Sequence, residues 1–380
     1  MMASSVEPPV AIEQLSPIAR KILDPSSPAP LKQMAAKGVA PGLKPGDALT
    51  VLAILSEGSD EAAATAKATL DKLPPPLLNG ALGGGLPAGV LGVVAPKYAQ
   101  NPAIAEKILN HPAVGPGAVI EMAALANEAV AELIATNEQR LLASPAIIEK
   151  LYMNKSTRMS TADRILELAV RNKIELSGIP AYKEAATAIG MELIAEPSDE
   201  PTPDDLLFRD TDAAALAADL DATREDTHRL DEATGEEVLE DKFLPLHAQL
   251  GQMTISQKIR RAMLGTASER LLLVRDNNRL VAQAAIKSPS IQENEVVRIS
   301  ASRNVSEDVL RIIAMDREWT RSHQIKLNLV QNPRTPFAFS SKLIQHLREH
   351  ELKALARSKN VTGAVSTAAR QQLSRRSPGA

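Results

Sequence analysis

The chain has 380 residues, of which 44% are hydrophobic and only 2% aromatic; its formal net charge is −3 and it has no cysteine. That length suits two domains of ordinary size. So few aromatics disfavour β-sandwiches, base-stacking platforms and aromatic cages, and the lack of thiols excludes disulfides, thiolate metal sites and cysteine nucleophiles.

Residues 1–11 read as a flexible tail without the basic and apolar regions of a signal peptide. No run of about 18 apolar residues occurs, so no membrane-spanning helix is expected. A cytoplasmic location follows by default. Ala, Leu, Ile, Glu and Lys dominate, which favours helices. Helical patterns are expected over 12–23, 31–36, 47–55 and 60–73, the last stopped by Pro74-Pro75-Pro76. Gly83-Gly84-Gly85 lacks both a preceding strand and a following Gly-Lys-Ser/Thr, so it reads as a helix break, not a phosphate loop. Further helices are expected over 103–110, 117–126, 128–136, 145–153, 162–171 and 180–189. Asn101-Pro102 and Ser144-Pro145 read as N-caps followed by a first-turn proline. Ser290-Ile291-Gln292-Glu293 reads as a capping box, and Ser160-Thr161-Ala162-Asp163 as a weaker one. Residues 12–190 are thus expected to form an N-terminal helical repeat array.

Composition shifts at 191–247, where 18 Asp and Glu face 4 Lys and Arg, with Pro197, Pro201 and Pro203 at the start. This is the pattern of a disordered acidic linker, with a transient helix over 212–222. Residues 248–380 reverse the balance, with 22 Lys and Arg against 10 Asp and Glu. Opposite charges in one chain motivate an expectation: the linker makes an intramolecular contact with the basic array and masks it. Deleting 195–240 should then strengthen the binding of acidic partners at low salt.

The array expected over 248–373, ahead of a tail at 374–380, holds three versions of one phrase. They are Arg303-Asn304-Val305-Ser306, Gln331-Asn332-Pro333-Arg334-Thr335-Pro336 and Lys359-Asn360-Val361-Thr362, with the Asn residues 28 apart. A fixed period of this size means stacked helical units. Ile299, Leu327 and Leu355 each lie five residues before an Asn. The phrase reads as a helix, an Asn in left-handed conformation at the break, Ser306, Thr335 or Thr362 as N-cap, then a second helix. One such pair cannot bury its apolar stripe alone, so pairs must stack. Lys155-Ser156 with Arg171-Asn172 echoes Lys287-Ser288 with Arg303-Asn304 at an offset of 132, which places related repeats on both sides of the linker. The expected fold class is all-α, two α-solenoid (helical repeat) arrays joined by the acidic, disordered linker.

Asn110-His111-Pro112-Ala113-Val114 followed by Val119-Ile120-Glu121-Met122-Ala123 resembles the leucine-rich-repeat-variant and HEAT-like class of helical repeats. The 329–336 stretch resembles it too, and the likeness covers about 97–190 and 255–373. The whole chain is similar to bacterial repeat proteins of this kind. The resemblance implies a curved helical solenoid that contacts other macromolecules, and no chemistry. Some variant-type proteins carry a cysteine-ligated iron–sulfur cluster, which a chain without Cys does not share.

His346-Leu347-Arg348-Glu349-His350 matches the H-x-x-E-H pattern of zinc peptidases. A third ligand well downstream is lacking, so a solvated helix face is the better reading. Asn304, Asn332 and Asn360 would form a ladder for an extended peptide if they did not cap helices. Trp319, beside Arg317 and Arg321, reads as a core plug. Lys258, Arg260 and Arg261 lie on one short helix, and Arg298, Arg303, Arg311, Arg317, Arg321, Lys326, Arg334, Lys353, Arg357 and Lys359 recur downstream. Such a stripe can follow a phosphate backbone, although aromatic interleaving is missing.

The expectation is a non-enzymatic protein-binding scaffold or adaptor, with no catalytic, cofactor-binding or metal residues and no cofactor. Its unidentified protein partner would meet Lys258, Arg260, Arg261, Arg303, Arg334, Arg357 and Lys359. The alternatives are nucleic-acid binding through the basic array and an enzyme of unrecognised class.

Overall fold

A computed structural model describes residues 15–58, 61–194, 197–198, 200–222, 227–230 and 237–376. The tail expected over 1–11 lies outside these residues, as do 377–380. The protein is all-α, 68% helix and 1% strand, so sheet packing plays no part in its core. Among the described residues 24 α-helices pack in neighbouring pairs. They form two compact units, Met1–Gly178 and Ile179–Ala380.

In the first unit the helices follow the expected order with small shifts. Proline sets several starts: Pro45–Ser56, Pro75–Leu82, Pro102–Leu109 and Pro116–Leu125 each have Pro at N1, where its missing N–H costs nothing. Pro74-Pro75-Pro76 therefore both ends one helix and opens the next. Asn101 is an N-cap, its side chain accepting from the Ile104 N–H. Ser144 is not: it closes the helix Glu138–Ala143, and Pro145 precedes the next. Met159–Arg171 starts before Ser160, so the capping box expected there does not form. The left-handed cap falls on Lys173 (φ 56), just past this helix. Helices two or three apart touch, as Pro102–Leu109 does Glu128–Ala135 and Pro116–Leu125 does Ala146–Met153.

The second unit begins earlier than expected. Tyr182–Ile189, assigned by sequence to the first array, packs on Ile255–Leu264 and Arg279–Ile286, burying Ala185, Ala188 and Ile189. Four helix pairs follow: Ala267–Leu273 with Arg279–Ile286, Glu293–Ala301 with Glu307–Met315, His323–Gln331 with Phe337–Ile344, and Glu349–Arg357 with Gly363–Arg376. The first members begin 26, 30 and 26 residues apart, and the second members 28, 30 and 26. The last helix takes in 374–376, expected as tail.

Part of the linker expected over 191–247 lies outside the described residues, and the helix expected over 212–222 falls within a longer one. Pro203–Ala222 is a 20-residue helix, and His228–Leu230 pairs antiparallel with Glu237–Leu239. Phe208, Thr211 and Ala215 lie on the buried face of this helix. Its acids also find partners. Asp212 meets Arg261 at 2.6 Å, and Asp219 accepts from the Ser268 N–H and hydroxyl. Of these two acids, Asp212 meets a cation and Asp219 a serine on the helices that follow.

Many side-chain bonds between distant residues span 25–33 positions, one helix pair. Asn154 donates to the carbonyls of Ala123 and Ala126 (2.9 and 2.8 Å). Asn332 donates to those of Ser300 and Ser302 (3.0 and 2.7 Å), and Asn328 to that of Val297 (2.8 Å). Arg140 reaches Leu109 O, Arg376 reaches Leu347 O, and Arg270 forks onto Glu295. The bonds to Leu109, Ala123 and Ser300 satisfy last-turn carbonyls that have no partner within their own helix.

Candidate functional site

In the last three of the four helix pairs of the second unit the turns joining the two helices share one geometry; in the first, the C-cap Val274 stays helical. Ser302, Asn332 and Ser358 are C-caps with extended backbone (φ/ψ −70/133, −75/118 and −68/136). Each side-chain oxygen accepts the N–H two residues on: Ser302 from Asn304 (3.4 Å), Asn332 from Arg334 (3.0 Å), Ser358 from Asn360 (3.1 Å). Asx- and Ser-turns of this kind end a helix without a left-handed residue.

This corrects the sequence alignment. Asn304, Asn332 and Asn360 all lie in these turns, but they are not equivalent. Asn332 is the C-cap, 5% exposed, and its amide is tied to the preceding pair. Asn304 and Asn360 sit two residues past the cap, on the surface. None of the three is left-handed; among the described non-glycine residues only Lys173 is. Ser306 is an N-cap by backbone, yet its hydroxyl makes no hydrogen bond. Thr335 precedes the N-cap Pro336, with its Oγ1 buried and unpartnered. Ser290 is not a capping box either: the box there joins Gln292 and Glu295.

The expected basic surface divides in two. Arg260 and Arg261 are 0% and 2% exposed, each with its guanidinium carbon 5.0 Å from the centre of the Phe208 ring. Arg261 also binds Glu269, Asp212 and the Phe208 carbonyl. Lys258 is paired with Asp276 at 3.1 Å. Arg260 and Arg261 do not belong to an open surface, because the acidic helix lies over them, and Lys258 is engaged by Asp276. Arg303, Arg334, Arg357 and Lys359 are exposed, all in or beside the turns. Arg334 lines an open groove of about 490 Å³ with Glu307, Pro333, Thr335, Pro336, Phe337, Thr362 and Ala364. Phe337, the first residue of its helix, is 47% exposed there.

One turn is occupied. Glu237, on the strand Glu237–Leu239, accepts from the Ser302 hydroxyl (2.7 Å) and the Arg303 N–H (2.8 Å), and its carbonyl accepts from Asn304 Nδ2 (3.3 Å). Arg275 lies 4.0 Å from the same carboxylate. Neither Glu237 nor the two turn serines stood out in the sequence, although Ser302 to Ser306 and Ser358 to Thr362 match position by position.

The buried carboxylates have structural partners. Glu269, Glu295 and Glu351 each close a capping box, and each is held by a cation or imidazole: Arg261, Arg270 and His323. Burial pushes the Glu269 carboxyl up, against the pull of Arg261 and the Thr266 N–H. Burial acts the same way on Glu351, but the Arg348 N–H and the His323 ring outweigh it and hold that carboxyl below 4.5.

The H-x-x-E-H stretch is not one helix. His346 follows Phe337–Ile344, whereas Glu349 and His350 open the next helix after the cap Arg348. The shared face that a bridging metal needs is therefore missing. Gly83 to Gly85 follow the C-terminus of Pro75–Leu82, as a helix break would. Trp319 is half-buried in the short turn Trp319–Arg321, not a core plug. No described helix is long and apolar enough to cross a membrane.

No protein-family model, curated protein or solved structure matches the chain.

Proposed function

We propose that both units are α-solenoid repeat arrays of HEAT-like helix pairs, and that the protein is a non-enzymatic scaffold or adaptor for other proteins. The carrying observation is the set of bonds from helix-end side chains to carbonyls one pair earlier, Asn154 and Asn332 foremost. Such bonds repeat because equivalent ends lie side by side, as they do where each repeat touches only its neighbours. The regular helix starts in the second unit support the same reading. Arrays of this type offer long surfaces made of turns and helix faces. Arg303, Arg334, Arg357 and Lys359 are exposed in or beside three successive turns.

Nucleic-acid binding is the second reading, favoured by 11 Lys and Arg against 2 Asp and Glu over 321–376. Affinity purification of the tagged full chain, with and without nuclease, separates the two. Specific proteins that remain after nuclease treatment are the expected result. Loss of all partners to nuclease, with retention on DNA or RNA falling steeply with salt, would replace the scaffold reading.

A further inference from the structure

We infer that the turn Ser358-Lys359-Asn360 is a binding site for a glutamate carried on an extended acidic segment of a partner protein. The inference deepens the scaffold reading and rests on it. Its warrant is a copy of the site, already filled, inside the same unit. At Ser302-Arg303-Asn304 the ligand is Glu237: its carboxylate takes the serine hydroxyl and the next main-chain N–H, and its own carbonyl takes the asparagine amide. The second turn repeats the three donors in order, on a backbone that differs by a few degrees at the serine. Each serine also receives the asparagine N–H, so each hydroxyl is fixed in the same role.

The intervening turn shows what the site requires. Asn332 spends its amide on Ser300 and Ser302, and Pro333 has no N–H to give. It cannot hold a carboxylate in this way. Ser358 is half-buried while Lys359 and Asn360 are exposed, and the Lys359 N–H and the Asn360 amide have no partner among the described residues. Arg357 and Lys359 stand on either side and supply the charge that Arg275 brings to the first turn. The groove along Pro333, Pro336, Phe337 and Thr362 gives apolar neighbours of such a strand a place to lie. Glu307 also lines that groove and can accept from the main-chain N–H groups of a peptide strand, donors that a phosphodiester backbone lacks.

The probe is a fluorescein-labelled peptide with the sequence of residues 234–242, titrated onto the full chain by anisotropy. One peptide should bind per chain. Lys359→Pro places at this turn the residue that already sits at 333, and removes the N–H along with the charge. Lys359→Gln removes the charge alone. Lys359→Pro should weaken binding roughly tenfold or more beyond Lys359→Gln, the size expected for a charge-assisted hydrogen bond. The peptide carrying Glu237→Gln should lose a similar factor on the unaltered chain. Glu237→Ala in the chain should open the first turn and raise the stoichiometry to two. Equal binding by the Pro and Gln variants, or no peptide binding at all, overturns the site. So does tighter binding of an oligothymidylate that Lys359→Pro leaves no weaker than Lys359→Gln. Protein partners that persist after nuclease treatment but ignore Lys359→Pro would remove this site and leave the scaffold reading standing.

Discussion

At the scale of single residues, the same amide does two jobs according to its place in the turn. Asn332 is buried and closes two carbonyls of the preceding pair, while Asn360, 28 positions on, faces solvent. Asn332→Ala should therefore cost about 2–3 kcal/mol, since two buried acceptors are left open. Asn360→Ala should stay within about 0.5 kcal/mol. Urea unfolding of the two variants measures the contrast, and equal costs would contradict the register given above. Glu351 supplies a pH test. Its folded carboxyl titrates below its ordinary 4.5, so its contribution is complete above that value and is lost as pH falls through the lower, folded one. Urea midpoints should show a gap between the parent and Glu351→Gln at pH 7 that closes as the solution is acidified below about 4.5. A gap that widens in acid would reverse the sign.

At the scale of elements, the helix Ile255–Leu264 is the pivot of the second unit. Thr254 and Gln257 close its capping box, and Gly265 ends it where a Cβ would strike the Glu269 carboxylate and the Arg261 carbonyl. Arg261 then joins this helix to Ala267–Leu273 through Glu269 and to the acidic helix through Asp212. Arg261→Met leaves Glu269 buried without its cation, and should cost about 3–5 kcal/mol. Adding Glu269→Gln should recover much of that loss, because the stranded charge is then gone. Thermal unfolding of the single and double variants decides it; a double variant worse than the single would show that the pair is not coupled.

At the scale of the whole molecule, the acidic segment is a structural part of the second unit as well as a cover. Removing residues 203–222 would uncover Arg260 and Arg261 and take away the buried Phe208. If each helix pair leans only on its neighbours, the damage should stay local. Hydrogen exchange should rise across 255–273 and change little across 323–376. Uniform loss of protection through the unit would argue against a stack of pairs. Deletion of 195–240 should thus strengthen binding of acidic ligands only where folded turns are exposed, and Glu237→Ala is the cleaner way to unmask one.

Much of the helical content was legible because it depends on neighbours in sequence: proline at first turns, asparagine at caps, apolar positions at helical spacing. The pairing of helices in the second unit, with starts 26 to 30 residues apart, lies close to the spacing of the three Asn. Tertiary structure decided the rest. Which Asn faces inward depends on the carbonyls one pair away, and a two-residue shift within a turn leaves almost no trace in the spacing. The basic residues were countable, yet Arg260 and Arg261 are hidden by a helix about 50 positions upstream. That helix belongs to a stretch whose charge was read alone. Its contacts with Arg261 and Ser268 depend on a distant segment and are not a property of residues 191–247 by themselves.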